Sequence, residues 1–178
     1  MGLITPYDES IFPLDLTKNP SGLTPTAFPF GVIESGRLTQ RVTYLLTSAQ
    51  LKTLQTTAVQ LVAAPGAVIQ FVLVPTRMVV EYEFGTVTYT IGNADNAFQI
   101  EYTGKATNIL KTNATGLVDQ ATDAYINVYP AVAGTVFLAA NAYNLGLEVK
   151  LVGTTPALTL GDGQVQISLD YDVLPLVP

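Results

Sequence analysis

The most regular alternation of apolar and polar positions in the chain lies near its carboxyl end, between residues 164 and 173. Apolar side chains stand at every second position there, and polar or acidic side chains stand between them. Successive side chains of a β-strand point to opposite faces of the sheet, so this pattern predicts a strand with one buried face and one face in water. The predicted buried face consists of Val165, Ile167, Leu169, Tyr171 and Val173, and the predicted wet face of Gln166, Ser168, Asp170 and Asp172.

The segment from Val42 to Val74 begins with two predicted strands on either side of one short helix. Period-two patterning with frequent β-branched residues favours a strand over residues 41–47. Ser48 follows as the predicted N-cap of a helical turn or two over residues 49–54, because a serine side chain accepts a hydrogen bond from the free amides of a helix start. A second strand is predicted over residues 58–63.

A tight turn and a long apolar run follow in the same segment. Pro65 and Gly66 suit the two corners of a type II turn, because proline presets the first corner and glycine accepts a positive φ at the second. The run 68–74 is almost wholly apolar, which predicts a strand covered on both faces. Pro75 interrupts this run before residues 77–84 resume it, so we expect a bulge or a crossing between sheets at Pro75.

The rest of the chain predicts an all-β fold. Short candidate strands follow one another, separated by clusters of turn-forming residues, and only residues 117–121 suggest another helical turn. Short strands without long helices between them predict an antiparallel β-sandwich, and about eight strands is the number of a jelly roll. We therefore assign residues 41–178 to one jelly-roll β-sandwich with one or two short helical turns. The further candidate strands are 87–91, 97–102, 123–129, 135–139 and 146–152.

Residues 1–40 differ from this body and predict an extended, proline-rich N-terminal arm. Each of its prolines removes a backbone donor and favours extended geometry in the residue before it, so a helix is excluded. Large apolar residues recur through the same segment, whereas disordered linkers are poor in them. We expect the arm to pack its apolar side chains on a neighbouring protein or, alternatively, over its own domain. The predicted contact residues are Ile11, Phe12, Leu14, Phe28, Phe30 and Ile33.

Composition indicates that other protein covers part of the chain. Its 178 residues fit one domain with a core and an appendage. Charged residues make up 12% of the chain and hydrophobic residues 48%, whereas charged residues usually make up about 25%. No uninterrupted apolar run reaches the ~18 residues that a membrane-spanning helix needs. We therefore expect no membrane contact, and we expect protein to cover the apolar surface.

The net charge of −6 argues against nucleic acid as a direct partner. Phosphate binding needs clustered Lys and Arg, and the eight such residues of this chain are scattered. Cysteine is absent, which excludes disulfides and thiolate metal sites. Met1 is not followed by the basic start and small-residue cleavage site of a secretory signal, so we expect synthesis in a cytoplasm.

Catalytic chemistry finds little support in the sequence. Histidine and cysteine are both absent, which removes the usual general base and the usual activated nucleophiles. Paired carboxylates remain conceivable, as in glycoside hydrolysis, but acids also occur at alternate strand positions wherever one face meets water. We expect that the chain is not an enzyme. The carboxylates considered are Glu81, Glu83, Glu101, Asp170 and Asp172.

Loop residues suggest turns before they suggest a ligand site. Asn93, Asp95, Asp162 and Asp172 carry the oxygen ligands that calcium prefers, but the spacing of an EF-hand is missing and these residue types are ordinary turn formers. The segment Gly161–Gly163 is predicted to be a hairpin connection, because no helix follows it to hold a phosphate. Tryptophan is absent, which disfavours a carbohydrate platform. We expect no metal and no cofactor.

Three short motifs carry a family resemblance. They are the Ser-Ala-Gln helix start within residues 46–51, the Ala-Pro-Gly turn within residues 61–67, and the Gly-Asp-Gly connection within residues 160–163 that leads into the last strand. Together they resemble the small jelly-roll virion proteins of tailed bacteriophages over roughly residues 41–178. The chain departs from this pattern at Val68 and Ile69, where many relatives have glycine.

The resemblance implies a structural role in a virion. Members of the family commonly associate as trimers that decorate or cement the capsid, or serve as fibre or spike modules. We therefore expect a capsid decoration protein on the virion surface, with the major capsid protein and its own copies as partners, the copies being joined as a homotrimer. Two alternatives stay open: a receptor- or carbohydrate-binding fibre module using loops 92–96 and 113–116, and a minor tail or portal-vertex protein.

Overall fold

A computed structural model describes residues 33–34, 37–65, 71–130 and 142–175, and everything below concerns these ranges. Eleven strands and one helix follow one another along them. In chain order they are β1 (Ile33–Glu34), β2 (Arg37–Leu46), α1 (Ser48–Thr53), β3 (Val59–Val62), β4 (Phe71–Glu83), β5 (Tyr89–Ile91), β6 (Ala97–Tyr102), β7 (Leu110–Asn113), β8 (Ala124–Val128), β9 (Leu147–Val152), β10 (Leu158–Leu160) and β11 (Gln164–Pro175).

Two main sheets form a β-sandwich. The five-stranded sheet has the order β1-β2-β11-β4-β8, the four-stranded sheet has the order β3-β9-β6-β7, and β10 pairs with β5 in a small third sheet. Without β1 and this small pair, the eight remaining strands lie as first-eighth-third-sixth over second-seventh-fourth-fifth, which is the arrangement of a jelly roll. All ladders are antiparallel. The predicted all-β sandwich is confirmed.

The centre of the five-stranded sheet is β11, which pairs with β2 and with β4. Its apolar side chains at Val165, Ile167 and Leu169 are fully buried, as the alternation predicts. Asp172 is the exception, because it was predicted on the wet face and is buried. Its carboxylate accepts a hydrogen bond of 2.6 Å from the Thr39 hydroxyl, which offsets part of the cost of burying a charge.

The strand β4 continues through Pro75 instead of crossing to the other sheet. The predicted bulge is present, because the register with β11 passes from Arg77 to Pro75 and skips Thr76. The Thr76 hydroxyl donates to the Asp170 carbonyl at 3.2 Å and so uses a backbone acceptor beside the bulge. The expected double-sided burial of the run 68–74 is wrong in its described part, where only Leu73 is buried.

The helix α1 begins one residue earlier than the sequence predicts, because its N-cap is Thr47 and not Ser48. Thr47 stands three residues before Gln50, and the two form a capping box in which each side chain bonds the other residue's backbone amide. Ser48 has an apolar residue, Leu51, in the corresponding position and cannot form this reciprocal pair. Leu51 and Leu54 are fully buried, so the helix packs onto one end of the core.

Of the remaining predictions, some differ from the structure and others lie outside the described residues. The strands β7 and β10 were not predicted. β7 has four residues, most of them polar, and β10 has three, so neither gives a pattern long enough to recognise. Residues 117–121 form a turn, in which the amides of Leu117 and Val118 both donate to the Ala114 carbonyl at 3.1 Å, and not a helix. The predicted strand 135–139 and the Gly66 corner of the predicted turn lie outside the described residues.

The core that the structure describes comes from residues between Leu46 and Tyr171. Three tyrosines satisfy their hydroxyl groups inside it: Tyr89 donates to the Gly163 carbonyl at 2.7 Å, Tyr102 to the Leu73 carbonyl at 2.7 Å, and Tyr171 to the Gln40 side chain at 2.6 Å. Burial raises the pKa of each of these phenols to about 12. None of the helices in the described ranges has the length and apolar character needed to cross a membrane.

Candidate interaction surfaces

The predicted contact residues of the arm lie largely outside the described residues. Ile11, Phe12, Leu14, Phe28 and Phe30 all do. Ile33 is described through its backbone, which pairs with Leu38 where β1 joins the edge of β2. Regular pairing thus begins within residues 33–40, which the sequence assigns to the arm.

The outward face of the five-stranded sheet is built by four long or paired strands. Its side chains form rows that run across β2, β11, β4 and β8 at right angles to the strands. Each row begins on β2, passes over β11 and β4, and ends on β8. Two complete rows are Leu45–Gln166–Glu81–Tyr125 and Thr43–Ser168–Val79–Asn127.

A third row of this face is held by charges. The Arg41 guanidinium binds both carboxylate oxygens of Asp170 at 2.5 and 2.8 Å, and this pairing raises the pKa of Arg41. Arg77 lies 3.9 Å from the same carboxylate and donates to the Asn127 side chain at 2.6 Å. Its guanidinium also lies 6.0 Å from the centre of the Tyr129 ring, within the range of a cation–π contact. This network fixes the orientation of side chains beside β8.

The strand β8 presents large exposed side chains on both of its faces. Tyr125 is 73% exposed and Tyr129 is 62% exposed on the outward face, while Ile126, which points to the opposite side, is 38% exposed. Among the described residues β8 pairs with β4 alone, so one of its backbone edges has no strand beside it. Depressions of about 360 and 280 Å³ flank Tyr125 on this face. Exposed tyrosines at an open sheet edge are typical of protein interfaces.

The sequence missed this surface although it predicted the strand. The alternation of Tyr125, Asn127 and Tyr129 with Ile126 and Val128 gives both faces large side chains. A strand with one wet face usually carries small polar or charged residues there. Two large apolar or aromatic faces on a short strand were the signal available in the sequence.

The carboxylates considered for catalysis are divided between the two main sheets. Glu81, Glu83 and Asp170 lie on the five-stranded sheet, whereas Glu101 lies on β6 of the other main sheet. Glu81 and Glu83 both line one depression beside Tyr125. The Glu81 side chain accepts a hydrogen bond of 2.8 Å from Gln166, an ordinary cross-strand contact.

Glu101 is the one of these acids that stands in an unusual environment. It is 4% exposed on the outward side of β6, and Gln99 donates to its carboxylate at 3.0 Å. Burial raises the pKa of Glu101, which the bond from Gln99 partly offsets. The arrangement is that of a buried polar pair within a sheet.

Asp162 connects sheets and does not form the predicted hairpin. Gly161–Gly163 leads from β10, which pairs with β5, to β11 in the five-stranded sheet. The Asp162 carboxylate accepts from the amides of Thr86 and Val87 at 2.8 and 2.9 Å and from the Thr86 hydroxyl at 2.6 Å. These bonds, led by that of the hydroxyl, lower the pKa of Asp162 to about 2. The Asp162 side chain therefore links the loop before β11 to the loop between β4 and β5, and we call these three hydrogen bonds the latch.

The two loops considered for receptor contact lie side by side. The Ala114 amide donates to the Asn96 carbonyl at 2.8 Å, and the Thr115 hydroxyl donates to the Ala94 carbonyl at 3.3 Å. Asp95 accepts from the amide and the hydroxyl of Thr154, which lowers the pKa of Asp95. The loops thus form one hydrogen-bonded cluster at an end of the sandwich.

Metal ligation was considered for Asn93, Asp95, Asp162 and Asp172. The described ranges contain no group of three acidic residues close enough to hold a metal ion. Asp95 and Asp162 belong to separate loops, and the hydrogen bonds of each carboxylate are to neighbouring backbone and hydroxyl groups. Their residue types are explained by these loop bonds.

Comparison with known proteins gives a structural likeness of low degree. Neither a family model nor a curated protein sequence matches the chain. A solved structure, described as the cyanophage Pam1 capsid asymmetric unit, superposes with a TM-score of 0.46 at 15% sequence identity. The match covers 86% of this chain and 99% of that chain. A likeness of this degree carries no information on function.

Proposed function

We propose that this chain is a bacteriophage capsid decoration protein, which binds the major capsid shell and stabilises it as a homotrimer. The observation that carries the proposal is the contrast between a folded body and an apolar, proline-rich arm in front of it. Among the described residues, those between Leu46 and Tyr171 build a jelly-roll core, and the sequence in front of it carries further large apolar side chains. Large apolar side chains on an extended segment are suited to bind a neighbour.

The arm is suited to bind across a joint between subunits. Its prolines reduce the conformational entropy that is lost when an extended segment becomes ordered on a surface. Ile11, Phe12, Phe28 and Phe30 are the anchors, because large apolar and aromatic residues supply most of the binding free energy at interfaces. Many equivalent arms across joints between major capsid subunits would add buried area and resist the internal pressure of packaged DNA.

The character of the body agrees with permanent assembly. Charged residues are 12% of the chain, and the open edge of the five-stranded sheet presents exposed Tyr125, Ile126 and Tyr129. Depletion of charge with enrichment of tyrosine is typical of the core of a protein interface. The same surface on a free monomer would favour aggregation.

A binding assay with capsid shells tests the proposal. Shells of the phage that encodes this chain, prepared without it, are mixed with the full chain and with a variant that lacks residues 1–32. This deletion keeps β1 and the whole of the five-stranded sheet. We expect the full chain to co-sediment with shells and to raise their disruption temperature, and we expect the truncated chain to stay folded by circular dichroism and to remain unbound.

Point variants separate anchoring from mere length of the arm. Phe12→Ser combined with Phe28→Ser should weaken binding to the shells at least ten-fold. Thr17→Ala combined with Thr24→Ala should leave this binding unchanged. A truncated chain that binds shells as well as the full chain would contradict the role of the arm. A full chain that neither binds nor stabilises shells would contradict the decoration function itself.

A second candidate function is a receptor- or carbohydrate-binding module of a fibre or spike. The hydrogen-bonded cluster of loops 92–96 and 113–116 favours it, because a rigid, polar loop cluster is a common recognition surface. A glycan array and a host-cell binding assay distinguish the two functions, since a decoration protein needs no host ligand. Counting copies per particle separates both from a minor tail or portal-vertex protein, which would be present in a handful.

A further inference from the structure

We propose that the open edge of β8 accepts a strand from the arm of a second copy of this chain. The inference deepens the proposed function, on which it rests in taking the arm as an intermolecular contact. It identifies one partner of the arm as a neighbouring copy within the oligomer. The contact is β-augmentation, in which an extended segment adds to the edge of an existing sheet.

The geometry of β8 fits an incoming strand. Among the described residues it pairs only with β4, through the register Val79 to Asn127 and its neighbours, so alternate residues direct their N–H and C=O groups away from the sheet. Tyr125, Ile126 and Asn127 are consecutive and all exposed. Exposure of consecutive residues means that both faces of the strand are open. A strand added beside β8 would form hydrogen bonds with its free backbone edge. The side chains of the added strand would pack beside those of β8 on both faces of the sheet.

The opposite edge of the same sheet is formed by the residues that follow the first 32. Ile33 and Glu34 pair with Leu38 and Arg37 as the short edge strand β1. Residues 33–34 therefore join one edge of the five-stranded sheet within their own chain, and residues 1–32 precede them in the sequence.

A second copy is the donor that this arrangement favours. β1 and β8 stand at opposite edges of the sheet, four strand spacings or ~19 Å apart. A path to its own β8 across the outward face would take the arm over the Arg41–Asp170–Arg77 network, where apolar side chains would displace water from charges. Extending outwards to a neighbouring copy avoids this cost, and 32 extended residues span up to ~105 Å.

The sequence of the arm contains a stretch suited to this role. In residues 12–16, Phe12, Leu14 and Leu16 alternate with Pro13 and Asp15, as in a strand with one apolar face. Pro13 is tolerated only at an edge, because it cannot donate to a ladder. After docking, the donated strand becomes the new edge, and its proline hinders pairing with any further chain.

The proposed contact is heterologous, since an arm on one copy meets a different surface on the next. Such contacts either close into rings or continue as filaments. A closed ring of three copies satisfies every arm and every β8 edge. This is the oligomer that the proposed function requires.

Cross-linking tests the proposal directly, because the natural chain contains no cysteine. Asp15→Cys is placed in one full-length chain and Asn127→Cys in another that carries a size tag, and the two are co-expressed. A short bismaleimide should join one chain of each kind. Thr43→Cys replaces Asn127→Cys as the matched control: it is exposed in the same row of the same face, but three strand spacings or ~14 Å away.

Each alternative occupant has its own signature in this assay. A doubly substituted chain that cross-links only within itself shows that the arm folds over its own copy and overturns the proposal. Cross-linking of Asn127→Cys chains to each other shows direct pairing of two β8 edges and also overturns it. Equal cross-linking of the Thr43→Cys control, or none with either partner, does the same.

An edge-blocking variant supplies the second measurement. Ile126→Lys places a charge on the edge strand, a feature that prevents strand addition in natural sheets, and Leu45→Lys at 48% exposure is its control. By light scattering we expect at least a ten-fold weaker association for Ile126→Lys alone, with melting of the monomer little changed. A wild-type chain that is monomeric at micromolar concentration overturns the proposal. No shells are present, so failure here is distinguishable from failure to bind a capsid.

Discussion

Two strands that flank β4 show how position in a sheet divides stability from assembly. β11 and β8 are both antiparallel neighbours of β4, and Ile167 and Ile126 lie on either side of Val80 in one row. Ile167 is fully buried, whereas Ile126 is 38% exposed. The same residue type thus faces a closed core on one strand and an open edge on the other.

The difference follows from neighbours and not from strand chemistry. β11 pairs on both sides and lies beneath the opposite sheet, so every second side chain is removed from water. β8 pairs on one side among the described residues, and its side chains remain accessible. We conclude that β11 supplies folding free energy and that β8 is available for binding. Matched substitutions on the two strands test this separation.

The largest expected effect comes from the isoleucine pair. Ile167→Ala should lower the free energy of unfolding by about 2–5 kcal/mol, because it leaves a cavity in a closed core. Ile126→Ala should lower it by about 1 kcal/mol or less. Urea denaturation of both variants measures the difference, repeated at several protein concentrations to separate folding from assembly. Equal losses at the two positions would contradict the division.

The tyrosines give the next contrast. Tyr171→Phe leaves the buried side-chain oxygen of Gln40 without its 2.6 Å hydrogen bond, which should cost about 1–3 kcal/mol. Tyr125 is 73% exposed, and Tyr125→Phe should change stability by no more than about 0.5 kcal/mol. A double variant with Gln40→Ala gives the coupling energy. A Tyr171→Phe protein as stable as the wild type would show that Gln40 finds another partner.

Two aspartates just before these strands predict a difference in pH dependence. Asp162 precedes β11, and its pKa falls from 3.8 to about 2 on folding. A lowered folded-state pKa stabilises the protein above the unfolded value, and this contribution is lost as the pH falls from about 4 towards 2. Asp162→Asn should therefore destabilise the protein at neutral pH and progressively less below pH ~4.

The matched control for this experiment is Asp123, which precedes β8. Its carboxylate accepts one hydrogen bond, from the Phe84 amide at 2.9 Å, whereas that of Asp162 accepts two from backbone amides and one from the Thr86 hydroxyl. Asp123→Asn should have the smaller effect on thermal melting between pH 2 and 7. If the two variants have parallel pH profiles, the latch around Asp162 does not contribute to stability.

The smallest expected effect lies on the shared outward face. Asp170→Asn weakens the two contacts with Arg41, whose side chain is 51% exposed, and pairs at such exposure contribute about 0.2–1 kcal/mol. Asn127→Ala removes one exposed bond from Arg77 and should cost no more. Melting at low and high salt checks the first variant, whose loss should shrink as salt rises. A salt-independent loss would indicate packing and not charge.

The sequence was most informative where local pattern and tertiary environment agree. Alternation in residues 164–171 predicted the buried side of β11, and Pro75 predicted the bulge in β4. The bounds of β6 were predicted without error, because its six residues are bounded by turn formers. Local pattern failed for Asp172, whose buried carboxylate accepts a hydrogen bond from Thr39, a residue distant in sequence.

The candidate surface was less predictable than the fold. The exposure of Tyr125 and Ile126 depends on β8 lying at an edge, and edge position is a property of strand order. Strand order depends on contacts between segments far apart in the chain, which alternation does not encode. The contacts proposed for Ile11, Phe12 and the other arm residues remain predictions.

What the sequence determined by itself was a β-rich body behind an apolar, proline-rich arm, because side-chain periodicity and proline geometry act within a few residues. What only the tertiary structure decided was the jelly-roll order, the latch at Asp162 and the open edge at β8. Each of these requires two or more segments to meet, so its free energy belongs to the assembled sheets and to no single stretch of chain.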